Sequence, residues 1–169
     1  MVVVVGRKEV RDMAAEYSAN LEQTVASNAP IIFTESPVPC NRGLVFHNDG
    51  SGIFRLSSAG AATPFNRCGC CGTMPMAQYL VEFHGNAAIS TGGTVEEIQL
   101  GISVDGEIDP SSIMRITPAA VEEYQNIGTS IVVSVPAICR CSSVSVRNIS
   151  TQDVDVQNSN ILIDRITRR

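Results

Sequence analysis

From Gln78 to the C-terminus the chain repeats a two-residue rhythm. Tyr79, Val81, Phe83 and Ala87 fall on one side of an extended segment, and Glu82, His84 and Asn86 fall on the other. The rhythm returns in Ile98–Val104, Ile131–Val135, Ser143–Val146 and Ile161–Ile163. Alternation of this kind marks strands with one buried face. A chain built mostly of such strands is an all-β protein, and its function is sought first in binding and assembly.

Turn chemistry divides the rest. Asn48-Asp49-Gly50-Ser51-Gly52 separates Leu44–His47 from Ile53–Leu56 and predicts a hairpin, because Asn, Asp and Gly tolerate positive φ. Further turns are expected at Thr91-Gly92-Gly93 and Asp105-Gly106-Glu107, and Pro110 breaks one connection before a strand over 113–116. Pro37 and Pro39 suit an edge strand or an irregular link. Val121–Gly128 reads as either a short helical turn or a strand, and Val156–Ile166 closes the sheet. This gives about nine or ten strands, for which a two-sheet jelly-roll sandwich is the favoured arrangement. An immunoglobulin-like sandwich fits less well, since the chain has no Trp to sit on a central Cys pair.

The N-terminal part has a different pattern. Val2–Val5 has strong β-propensity and needs a sheet edge to pair with. Val10, Ala14, Tyr17 and Leu21 are spaced four, three and four apart, which predicts a short helix within 7–25. Residues 1–28 are therefore expected to form an anchor or stem of strand plus helix, with a helix packed on its own domain as the alternative, and residues 29–169 the jelly-roll domain.

Composition excludes several classes. The 169 residues carry a net charge of −5 and no concentrated basic run, so a nucleic-acid face is not expected. Arg7, Lys8 and Arg11, like Arg165, Arg168 and Arg169, read as small solvated terminal clusters. No apolar run approaches the ~20 residues of a membrane span. The opening Met1–Val5 is too short for a signal-peptide core, which points to synthesis and folding in a cytosol. Charged residues make up 17%, against about a quarter in ordinary soluble domains, which suits either a surface partly held against other subunits or a deeply buried monomer core.

Candidate chemistry is sparse, and no catalytic, cofactor-binding or metal-ligating set is assigned. His47 and His84, the two histidines, sit on the polar sides of predicted strands with no nucleophile-elbow context. Asp49, Asp105, Glu107 and Asp109 fall in turns without the alternating carboxylates of a calcium loop. Glu96-Glu97 and Glu122-Glu123 are sequence neighbours whose side chains diverge, unlike the facing pair of a glycosidase. The cysteines are Cys40, Cys68, Cys70, Cys71, Cys139 and Cys141. The one-residue gaps of Cys68-x-Cys70 and Cys139-x-Cys141 fit structural zinc poorly. Reduced thiols, disulfides and a four-sulfur site all remain open.

The ordered set Asn41–Leu56, Tyr79–Glu107, Thr117–Tyr124, Ser134-Val135-Pro136 and Ser143–Asn148, ending in Gln157-Asn158-Ser159-Asn160, resembles a known group. It is similar to the tumour-necrosis-factor/complement-head jelly rolls carried by tailed bacteriophages. The resemblance covers roughly 25–166 and departs from the group at Cys68-Gly69-Cys70-Cys71. It implies a non-enzymatic virion protein: a homotrimeric capsid decoration or head-fibre protein, assembled in the bacterial cytoplasm. The N-terminus would moor it to the major capsid or another virion protein. A tail-fibre or spike tip that binds a receptor or host-surface glycan is the alternative. Neither implies a cofactor, a membrane or nucleic acid as partner.

Overall fold

A computed structural model of the chain describes residues 14–40, 44–58, 76–136 and 141–166. These residues contain β1 (Ala14–Ala19), β2 (Gln23–Val25), β3 (Glu35–Val38), β4 (Val45–His47), β5 (Phe54–Ser57) and β6 (Ala77–Ile89). They continue with β7 (Ile98–Val104), β8 (Glu107–Ile108), β9 (Met114–Ile116), β10 (Gln125–Val135), β11 (Cys141–Asn148) and β12 (Val154–Arg165). Among the described residues the helical content is one 3₁₀ turn, Pro110–Ser112, capped by the Asp109 side chain.

The strands form two antiparallel sheets. The first runs β10-β6-β12-β1-β3, with β2 also pairing β12; the second runs β4-β5-β11-β7-β8, with β9 also pairing β7. β6 sits inside the first sheet, paired along β10 from Gln125↔Ala87 to Val135↔Ala77 and along β12 on its other side. Its inward residues Tyr79, Val81, Phe83 and Ala87 are fully buried, as the alternation requires. The hairpin at 48–52 forms, with His47 opposite Phe54 and Gly50 at φ 76°. Asp105 and Gly106 take φ 52° and 95° in a two-residue turn between Val104 and Glu107, the positive-φ geometry that suits strand twist. β3 lies on a sheet edge and carries Pro37, and β10 begins at Gln125 after Glu122 turns at φ 63°.

The helix expected within 7–25 is not what residues 14–25 form. Ala14–Ala19 pairs residue by residue with β12, from Ala14↔Asp164 to Ala19↔Ser159, and Gln23–Val25 pairs with Val154–Val156. Ala15, Tyr17 and Ala19 all point into the core, whereas Leu21 is 84% exposed in the link to β2. Six backbone pairings and the seat of the Tyr17 ring outweigh a helical spacing that an isolated two- or three-turn helix could not sustain. Residues 14–28 thus belong to the sandwich rather than to a separate stem. Val2–Val5 and Val10 lie outside the described residues.

The core is stapled across the sheets by aromatic rings. Phe54 on β5 packs against Tyr17 on β1 at 4.9 Å, against Phe33 at 5.3 Å and against His47 at 4.5 Å. Tyr79 is fully buried, and its hydroxyl donates to the Ser57 carbonyl at 2.6 Å. Burial pushes the phenols of both Tyr17 and Tyr79 up from 10.0 to about 12. The unfolded chain therefore ionises first as pH rises. Stability should be intact below pH 10 and fall progressively toward about pH 12. Urea midpoints taken across that window should show this decline, and a Tyr17→Phe/Tyr79→Phe protein should show a shallower one. An equally steep decline in the double variant would exclude these phenols as its cause.

Asn148, fully buried, ties the β2 end of the first sheet to β11. Its Nδ2 donates to the carbonyls of Val25 and Gln152, each at 2.9 Å, and its Oδ1 accepts from the Ser150 amide at 2.9 Å. Asn148→Ala leaves three backbone groups unpaired inside the protein. It should cost roughly 3 kcal/mol in a urea unfolding curve; a loss under about 1 kcal/mol would mean that water replaces the amide.

Candidate functional site

The first sheet has one face on the core and one facing out. Along β6 the outward positions are Gln78, Leu80, Glu82, His84, Asn86 and Ala88. Pairing sets Val132 and Asp164 beside Leu80, Ser130 and Leu162 beside Glu82, and Gly128 and Asn160 beside His84. Asn126 and Gln157 flank Asn86.

The two halves of this face differ. At the half where β6 begins, Met76 is 53%, Val132 52% and Ile166 43% exposed, and half-buried Leu80 and Leu162 join them. The Ile166 amide donates to the Gln78 carbonyl, which fixes that residue beside the patch. Among the described residues eight large hydrophobics are exposed, and three of them lie in this half of the face. Asp164 lies within the patch, beside Leu80 and between Leu162 and Ile166 on β12, Glu82 and Glu16 border it, and Asn160 Nδ2 donates to Glu16 at 2.6 Å. Both ends of the described chain adjoin the patch, since Ala14 pairs with Asp164.

At the other half, His84, Gly85, Asn86, Asn126, Ile127, Gly128 and Asn158 line a shallow depression of about 480 Å³. The irregular register of β12 between Gln157 and Asn160, with Asn158 at φ 50°, turns that strand aside. Gly128 supplies no side chain opposite His84; a Cβ there would stand 2.6 Å from His84 Nδ1 and 2.9 Å from the Phe83 carbonyl. Farther along, Asp155, only 7% exposed, accepts from Thr24 Oγ1 and Ser90 Oγ, each at 2.7 Å. Tyr124 donates to Glu22 nearby; burial, and then that hydrogen bond, push its phenol well above the usual range.

The residues singled out in the sequence are dispersed. His84 lies exposed on this face, but His47 is not the surface residue expected. Its ring stacks on Phe54 at 18° and its Nε2 bonds the Ser51 carbonyl at 2.8 Å, because the hairpin folds it over the core. Asp105 Oδ1 accepts from the Ser143 amide at 2.7 Å, and Asp109 Oδ1 from the Ser111 amide at 2.8 Å, so both hold turns. Asp49 lies in the hairpin loop and Glu107 on β8, both exposed. Glu96 accepts from Thr151, Glu97 pairs with Arg115 at 3.0 Å, Glu122 accepts from Thr91, and Glu123 accepts from the amides of Ala119 and Ala120. Among the described residues no group of three or more His, Cys, Asp or Glu is placed to hold a metal ion.

Arg165 also departs from its expected solvated place. It is 5% exposed, with Nη2 reaching the Ser58 carbonyl at 3.3 Å, because β12 runs on through it and directs its side chain inward. Cys40 is a free, half-buried thiol, and Cys141 is disulfide-bonded. Cys68, Cys70, Cys71 and Cys139, like Arg7, Lys8, Arg11, Arg168 and Arg169, lie outside the described residues.

No family model matches this sequence, and none of the curated proteins does. Solved structures do match in fold. The Eiger TNF of S. frugiperda superposes with a TM-score of 0.61 at 11% identity, over 93% of this chain and 94% of its own. The globular domain of the zebrafish complement 1qA protein gives 0.57 at 10% identity, over 93% and 99%. The PRD1 vertex protein P5 aligns at 13% identity over 94% and 99%, with a TM-score of 0.43. Two antiparallel sheets, superposing on the TNF and complement domains over nearly their whole lengths, give the chain the same jelly-roll fold as theirs.

Proposed function

We propose that this chain is a non-enzymatic structural protein of a tailed-bacteriophage particle, a homotrimer that decorates the capsid or forms a head fibre. The observation that carries the self-association is the apolar half of the outer face, Met76, Leu80, Val132, Leu162 and Ile166. Covering the three exposed members gains roughly 1 kcal/mol each, and every copy in a ring contributes the same patch. The low charge content supports the same reading. The virion assignment draws on the ordered resemblance along the sequence, with which the jelly-roll fold agrees.

In this assembly residues 1–13 lead into Ala14 beside the covered patch, so a mooring segment would leave from the trimer's shared side. Quantitative mass spectrometry of purified particles tests the placement. Many copies per particle, in a multiple of three and retained on isolated heads, are expected. Absence from particles would overturn the virion assignment, and a few copies on tails alone would favour the tail-tip alternative.

A further inference from the structure

We infer that the depression around His84 is a binding site for a neutral glycan. The side chains of Asn86, Asn126 and Asn158 and the His84 imidazole make no hydrogen bond within the described protein, although all line one depression of about 480 Å³. Each carboxamide offers two donors and an acceptor, the mixture that sugar hydroxyls require. No Asp, Glu, Lys or Arg side chain lines the depression. The His84 ring lies over Gly128, and Asn158 at φ 50° bends β12 beside it.

Leu162, the member of the apolar half nearest the site, lies beside Glu82, two residues from His84 and about 7 Å along the strand. The site therefore adjoins the apolar half, and glycan binding in the assembly requires that sister copies leave it open. The imidazole is the one aromatic ring at the site, so hydrogen bonds dominate and a dissociation constant of roughly 1 mM is expected.

The test titrates the intact protein with maltotriose and, separately, with triacetylchitotriose, reading side-chain amide NMR signals. Saturable shifts confined to Asn86, Asn126 and Asn158 with at least one sugar, and weakening by about tenfold or more in Asn86→Ala/Asn126→Ala, support the site. No shift with either sugar at about 20 mM, or binding unaltered by the double variant, overturns it. A soluble paramagnetic agent separates this inference from the assembly. Amides hidden from the agent in the trimer would refute an open site while leaving self-association intact. Sugar binding by a monomeric protein would do the reverse.

Discussion

Phe54→Ala is expected to remove about 4 kcal/mol of folding stability. Phe54 is fully buried and meets three rings, Tyr17, Phe33 and His47, from both sheets and the segment between them. Truncation removes the transfer energy of the ring and leaves a cavity that these neighbours cannot all close, because Tyr17 is held by the β12 register and His47 by the hairpin. The edge-to-face and stacked contacts disappear with it, each worth about 1 kcal/mol. Urea unfolding followed by circular dichroism measures the loss. A change below about 1.5 kcal/mol would show that the two sheets are not joined through this cluster.

Val132→Asp should have the largest effect on assembly. The side chain is 52% exposed and directly opposite Leu80, so the single folded chain tolerates a carboxylate there. The buried interface does not. An uncompensated charge beside Leu80, covered by sister copies on a face that already carries Glu82 and Asp164, costs several kcal/mol for each copy. The association constant should fall by about 100-fold or more while the thermal midpoint of the isolated chain shifts by only a few degrees. Association equal to that of the unaltered protein would place the interface elsewhere. Loss of folding would instead show that Val132 supports the sandwich itself; Ile166→Asp, at the strand end, then provides the independent check.

The strands that carry the core were legible because each keeps its own alternation: Tyr79, Val81 and Phe83 announce β6 without reference to any partner. The 48–52 hairpin was legible for a similar reason, since its turn residues act locally. β1 was not, because Ala14, Tyr17 and Leu21 fit helical spacing and their extended state depends on β12, more than a hundred residues away. Arg165 and His47 were misplaced by the habit of assigning polar side chains to water; one is drawn inward by the run of β12 and the other is stacked by the hairpin. The outer face was hidden more deeply. Its apolar patch and its amide-lined depression arise from register, which puts Val132 beside Leu80 and Gly128 beside His84, and a single strand's sequence does not state its register.

Sedimentation equilibrium of the full chain, across a dilution series at micromolar concentrations, addresses the self-association directly. The expected result is a single species of three times the 18.0 kDa chain mass, giving way to one chain in Val132→Asp. A well-folded protein that sediments at the mass of one chain throughout the series would contradict the account.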